Sequence, residues 1–335
     1  MMRVNGSSPR MKSLAWNVAK IGVTVAIIAY LFSRVDLAVM AQHLARANPA
    51  LLLLALALYL LAITLGALKW QVVVRAQNIN AALGQLLVYS FVGLFFGNLL
   101  PSNVGGDVVR AYGLARATGR AEVAAISVLV DRLMGMVAWF GAAVVMAALA
   151  TATLTRGDEL GQLEIATVVV AAAFLVAAAL LFSRRVSQRV KWIFDWEPLR
   201  RVQPIAQRIY HALQVYRRSY RALALNLTLS AGIVVVTTLA WYAVARALGV
   251  NAAAFYFFLF NPLIAFVLLI PISFNGLGPK EATAVFFFGL VGVPGEAALA
   301  MSLVFHLIVV LTSLPGGVLW WRERALAPAR VTQLP

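Results

Sequence analysis

The 335-residue chain contains no cysteine. Disulfides, thiolate nucleophiles and cysteine-ligated metals are therefore excluded. Histidine is nearly absent too, with only His43, His211 and His306, each in a separate segment. There is no Gly-x-x-x-x-Gly-Lys-Ser/Thr phosphate loop, no Gly-x-Ser-x-Gly elbow, no His-Glu-x-x-His and no acidic metal cluster. An ATP-driven pump would need its ATPase from a partner, and no cofactor is expected. Charge is also scarce, at 12% of residues against about 25% in soluble domains. Of the charged residues, only 12 are acidic against 28 basic.

What fills the gap is apolar: 62% of residues, at a mean hydropathy of +0.88. The excess comes in runs such as Leu51–Leu65 and Ile126–Ala150. Runs of about 18–30 residues cross a ~30 Å hydrocarbon core at about 1.5 Å per residue. The chain reads as an all-α integral membrane protein. Its net charge of +16 sits in the breaks between apolar runs, where membrane topology explains it and nucleic acid does not. At the N-terminus, Arg3, Arg10, Lys12 and Lys20 precede Ile21–Phe32, but Ser33-Arg34-Val35-Asp36 is no small-x-small cleavage site. That run is expected to stay as the first helix.

Apolar segments fall at 14–33, 50–68, 84–100, 121–150, 165–182, 224–246, 255–272, 281–293 and 296–320. Loop 183–223 carries ten Arg or Lys against Asp195 and Glu197, whereas loop 151–164 sets Arg156 against Asp158, Glu159 and Glu164. The positive-inside bias places the N-terminus, loop 183–223 and the C-terminal Arg322/Arg324/Arg330 cluster in the cytoplasm. Five apolar segments separate the first two, yet points on one side need an even number of crossings. One segment should therefore turn back.

The first break, Asn98-Leu-Leu-Pro101-Ser102-Asn103-Val-Gly105-Gly106-Asp107, supplies the turn. Proline removes a donor and glycine raises backbone entropy, and irregular backbone at membrane depth needs protein or water around it. The second half repeats the pattern at Pro271-Ile-Ser273-Phe-Asn275-Gly276-Leu-Gly278-Pro279-Lys280-Glu281, and 281–293 is too short to span. Six spanning helices plus two re-entrant hairpins follow, as an inverted-topology repeat of 1–150 and 151–335 within one membrane domain. In such repeats, sites form where broken helices meet near the midplane.

Ionisable groups inside a membrane mark pathways or fixed ion pairs. Asp107 and Arg110 share a helix face after the first break, Lys280 and Glu281 follow the second, Asp131 and Arg132 lie mid-segment, and His306 takes the place equivalent to Asp131. One reading has Arg110, Arg132 or Lys280 meeting a lipid phosphate, with the carboxylates as counter-charges or proton carriers. The other makes them structural ion pairs. Asn98, Ser102, Asn103, Ser273 and Asn275 either satisfy the freed backbone of the turns or touch substrate. In loop 183–223, Ile205, Ile209, Leu213, Tyr216 and Tyr220 recur at helical spacing among arginines. That pattern suits a basic amphipathic helix on the cytoplasmic leaflet, gathering anionic lipid or anchoring topology.

Three stretches together resemble one family: Phe96-Gly-Asn-Leu-Leu-Pro101-Ser-Asn-Val-Gly-Gly-Asp107-Val-Val-Arg110, then Val130-Asp131-Arg132-Leu-Met-Gly135, then Pro271-Ile-Ser-Phe-Asn-Gly276-Leu-Gly278-Pro-Lys-Glu281. In order and spacing they look like the lysylphosphatidylglycerol synthase transmembrane, or flippase-like, family, and the resemblance covers nearly the whole chain. Its founding members flip an aminoacylated phospholipid made by a fused C-terminal synthase domain. This chain ends shortly after Arg324, so lysyl transfer is not expected. Pro279-Lys280 departs from the family pattern, which often has Arg before the Glu. The resemblance implies a non-enzymatic lipid translocator of the bacterial inner membrane, acting on a phospholipid, hopanoid or polyprenyl-linked lipid. Its partners would be anionic or phosphate-bearing lipids and a lipid- or glycan-biosynthesis enzyme. The rivals are an accessory subunit of such an enzyme and a membrane-embedded transferase.

Overall fold

The computed structural model describes residues 9–34, 36–99, 105–153, 216, 219–267, 273 and 275–325. Among them there is no strand, and ten helices follow in order. They are α1 (Pro9–Arg34), α2 (Leu37–Ala45), α3 (Pro49–Arg75), α4 (Leu83–Leu99), α5 (Gly105–Thr118), α6 (Ala121–Thr153), α7 (Tyr220–Ala247), α8 (Ala254–Val267), α9 (Pro279–Gly289) and α10 (Gly295–Ala325). Local chemistry sets several starts. Asp36 accepts N–H bonds from Ala38 and Val39, and Asn48 accepts from Ala50 and Leu51 with Pro49 at the first helical position.

Four of these, α3, α6, α7 and α10, are long and apolar enough to cross a membrane. The pair α1–α2 counts as a fifth if it forms one span, although it bends by 89°. The other four are short. At about 1.5 Å per residue, α4 reaches about 25 Å and α9 about 16 Å, less than a ~30 Å core. The stretch 154–215, which holds the expected crossing at 165–182 and most of the acidic and basic loops, lies outside the described residues, as do Pro101, Ser102 and Asn103.

The short helices pair. α4 packs on α5, and α8 on α9. In the first pair the contact is glycine on glycine: a Cβ added to Gly106 would sit 2.4 Å from the Gly93 carbonyl oxygen, and Gly113 leaves room for the Tyr89 ring. Small residues are what bring helix backbones this close where lipid gives no hydrophobic drive. In the second pair the contact is aromatic, with Phe260 stacked on Phe287 at 5.3 Å and Phe257 against Phe288 at 4.7 Å. Long helices enclose the pairs: α7 runs along α3 and α6, and α10 lies against α4. At that last contact a Cβ on Gly316 would meet the Phe91 carbonyl oxygen at 2.0 Å.

One expectation needs correction. Tyr216 belonged to the row meant to lie on the membrane surface, yet it is fully buried against Val73, Val130 and Met134 of α3 and α6. A large ring inserted between helices gains more burial than one resting on headgroups, so this residue anchors the start of α7 in the bundle.

Candidate functional site

The turn before α9 explains its own sequence. Asn275, Gly276 and Gly278 all have positive φ (49°, 72° and 90°). Glycine and, less readily, asparagine accept that region, and Pro279 then opens the helix. The Glu281 carboxylate folds back to accept the Gly278 N–H at 2.7 Å. This geometry aims Asn275 across the molecule, and its Nδ2 donates to Asn98 Oδ1 at the end of α4, 2.7 Å away. The two breaks therefore touch.

Beside this contact lies a cavity of about 550 Å³ among α3, α4, α5, α6 and α8. One wall is apolar, with Ile63, Leu94, Met136, Trp139 and Phe140. The other is ionic. Asp131, almost fully buried, pairs with Lys69 Nζ at 3.1 Å and with Arg110 Nη2 at 3.2 Å. Asn226 Nδ2 of α7 donates to the same carboxylate at 3.1 Å, and Lys69 also reaches the Asp131 carbonyl oxygen at 2.9 Å. The absent side chain of Gly135 leaves the space that the Lys69 ammonium uses. Asp107 forms the second node, pairing with Arg110 Nη1 at 3.4 Å and with Arg132. The Arg110 guanidinium sits 4.4 Å above the buried Trp70 ring, a cation–π contact that fixes its plane.

Among the described residues three cations thus face two carboxylates, for a net charge of +1. Three donors on the cavity wall, Ser90 Oγ, Asn98 Nδ2 and Arg110 Nε, are buried without a hydrogen-bond partner among the described residues. An unpaired buried donor costs about 1–3 kcal/mol. A cavity carrying several such donors beside excess positive charge is built to take a group rich in acceptor oxygens.

Sequence reading anticipated most of this cluster. Asn98, Gly106, Asp107, Arg110, Asp131, Arg132 and Asn275 all line the cavity, while Gly105 is buried at the start of α5. Lys280, Glu281 and His306 do not join them. They form a separate buried cluster between α9 and α10, with Lys280 Nζ 3.2 Å from Glu281 and 3.2 Å from His306 Nδ1. Ser302 donates to the fully buried Glu281 carboxylate at 3.2 Å. Gly276 and Gly278 serve the turn. Lys69, Trp70 and Asn226 were missed. Lys69 follows directly on the apolar run 50–68, so it passes for a topology charge, and Asn226 is a lone polar residue in an apolar segment. Among the described residues no group of His, Asp and Glu could hold a metal ion.

The family model for the lysylphosphatidylglycerol synthase TM region matches residues 17–316. The chain belongs to that family. Its relatives include a UPF0104 membrane protein of Methanothermobacter thermautotrophicus, 25% identical over 283 residues, covering 79% of this chain and 82% of the relative. A second UPF0104 membrane protein, from Pyrococcus horikoshii, is 24% identical over 120 residues, or 35% of each chain. The matched region takes in α2 to α9 entire and, with the part of α10 up to residue 316, both clusters.

Proposed function

We propose that this family member translocates a phosphate-bearing lipid across the cytoplasmic membrane, as a non-enzymatic flippase or scramblase. The observation that carries the reading is the cavity itself: a net-positive cluster with three unpaired donors, facing an apolar wall, in a bundle whose α3 and α6 are long and apolar enough to span. The ionic wall suits a phosphate headgroup and the apolar wall suits the start of an acyl or isoprenoid chain. Moving a charge through hydrocarbon is costly, and this cluster would take over part of the headgroup's hydration.

The same reading takes α4–α5 and α8–α9 as re-entrant hairpins of an inverted repeat whose halves are 1–150 and 151–335. Supporting this, the charged residue after each break reaches the next long helix 21 positions on, Arg110 to Asp131 and Glu281 to Ser302. The N- and C-termini then lie in the cytoplasm.

The test is lipid movement in proteoliposomes holding wild type, Arg110→Gln or Asp107→Asn, with anionic, zwitterionic and polyprenyl-phosphate probes. Movement of a phosphate lipid by wild type, slowed or lost in both variants, is expected. Well-folded wild type that moves none of the probes would refute the translocator reading and favour an accessory subunit of a lipid- or glycan-modifying enzyme.

A further inference from the structure

The two carboxylates of the cavity are held in different ways. Asp131 has a side chain only 3% exposed and is fastened by Lys69, Arg110 and the neutral amide of Asn226, with Lys69 tied a second time to its backbone carbonyl. Asn226 is itself fixed, since its amide also donates to the Lys69 carbonyl at 2.8 Å and Ser230 Oγ donates to its oxygen at 3.4 Å. Removing Asp131 from its place would strand all of these groups. Asp107 has a side chain 20% exposed, and among the described residues only two guanidinium groups hold it, one of them at 3.4 Å. No backbone N–H or neutral side chain donates to it in that set.

Arg132, the other guanidinium, is the most exposed member of the cluster at 30%. Arg110 keeps its plane through Trp70 and its second hold on Asp131, whether or not Asp107 is present. The site therefore consists of a fixed frame (Asp131, Lys69, Asn226, Trp70) and two arginines that converge on one partly exposed carboxylate. A carboxylate and a phosphodiester offer guanidinium groups the same pair of anionic oxygens.

We propose that Asp107 is an internal stand-in for the substrate's phosphate, occupying the Arg110/Arg132 fork when the cavity is empty and leaving it when a monoanionic phosphodiester enters. The inference rests on the phosphate-lipid reading of this cavity and adds an order of events. Binding is an exchange of one anion for another at the two guanidinium groups. The returning carboxylate then competes the headgroup off. Affinity is kept low, and release is kept possible, by the residue that the ligand displaces.

The consequence is measurable as tighter, not weaker, binding when Asp107 is neutralised. Purified protein in nanodiscs of zwitterionic lipid would be titrated with short-chain phosphatidylglycerol, its deacylated headgroup, or inorganic phosphate. Asp107→Asn, and Asp107→Ser as a second neutral variant, are expected to bind the short-chain lipid about ten-fold or more tighter than wild type, while translocating it more slowly. Arg132→Gln is expected to weaken binding about ten-fold. The double variant Asp107→Asn/Arg132→Gln is expected to lose the gain. Thermal unfolding of each variant confirms that folded protein is being compared. Wild-type binding with no tightening in either neutral variant overturns the exchange and leaves the translocator reading standing. Equal tightening for inorganic phosphate and for the lipid supports the exchange but overturns the lipid as its source. No binding of any probe to any variant overturns both.

Discussion

Asn275 Nδ2 donates to Asn98 Oδ1 across 2.7 Å, although 177 residues separate them in the chain. Asn98 closes α4 and Asn275 precedes α9, so this bond ties the tip of α4 to the turn before α9 beside the cavity. A chain without cysteine allows it to be tested cleanly. Asn98→Cys together with Asn275→Cys is expected to cross-link with a short bifunctional thiol reagent, without background from wild type. If the tips must part for a headgroup to pass, cross-linked protein stops translocating and reduction of a cleavable linker restores it. Absence of cross-linking in folded protein would show that the tips do not meet.

The two aspartates of the cavity should separate in a stability measurement. Asp131→Asn leaves Lys69 and Arg110 short of a charge partner in a buried site, where breaking one side of a buried pair costs about 3–5 kcal/mol. Asp107→Asn, at a partly exposed position held by two guanidinium groups, is expected to cost far less. Thermal unfolding in one detergent compares them directly. Equal losses would mean that both carboxylates are structural.

Much of this site is legible in the sequence, and the limits have physical causes. Asp107, Arg110, Asp131 and Arg132 stand out because charge within apolar sequence is rare. Their partners do not. Spacing along one helix suggests Asp107 with Arg110, whereas the fold also crosses the pairs, Arg110 to Asp131 and Arg132 to Asp107. Only the approach of α5 to α6 decides that. Lys69 looks like a boundary charge until α3 is seen running past residue 68 to Arg75. The start of α9 is readable from its Gly and Pro, since these residues act locally on the backbone. Gly93 and Gly113 of the α4–α5 contact give no such cue, because their role depends on what lies opposite.

Those glycines allow one substitution to be compared with itself. Gly106→Ala and Gly316→Ala each drive a methyl into a backbone carbonyl oxygen, at 2.4 and 2.0 Å before any relaxation. Overpacking of this kind costs about 1–3 kcal/mol or more, because backbone must shift. Gly141→Ala, with nothing within 4 Å of the new Cβ, is expected to be neutral or to stabilise α6 by up to about 1 kcal/mol. Unfolding midpoints of the three variants give the answer. A Gly106→Ala protein as stable as wild type would mean that α4 and α5 are not in contact at this point.

The Lys280–Glu281 pair is expected to behave as a unit. Glu281→Leu alone strands the Lys280 ammonium, the Ser302 hydroxyl and the Gly278 N–H. The loss should be of the order of 3–5 kcal/mol. Adding Lys280→Met removes the unpaired charge and should recover part of it. A double variant less stable than Glu281→Leu alone would count against a structural pair and point to a separate role for Lys280, next to His306.

The backbone contact between Gly93 and Gly106 has a mechanical consequence. At Gly93 and Gly106 no side chain separates the two backbones, which leaves little slack, so α4 and α5 are expected to shift as one rod rather than slide against each other. Motion at the cavity is thereby confined to the rod's surroundings: the amide contact at its tip and the arginine fork on its flank. A thermal fluctuation that breaks a few polar contacts there displaces the whole rod, without disturbing the packing that holds the rod itself together.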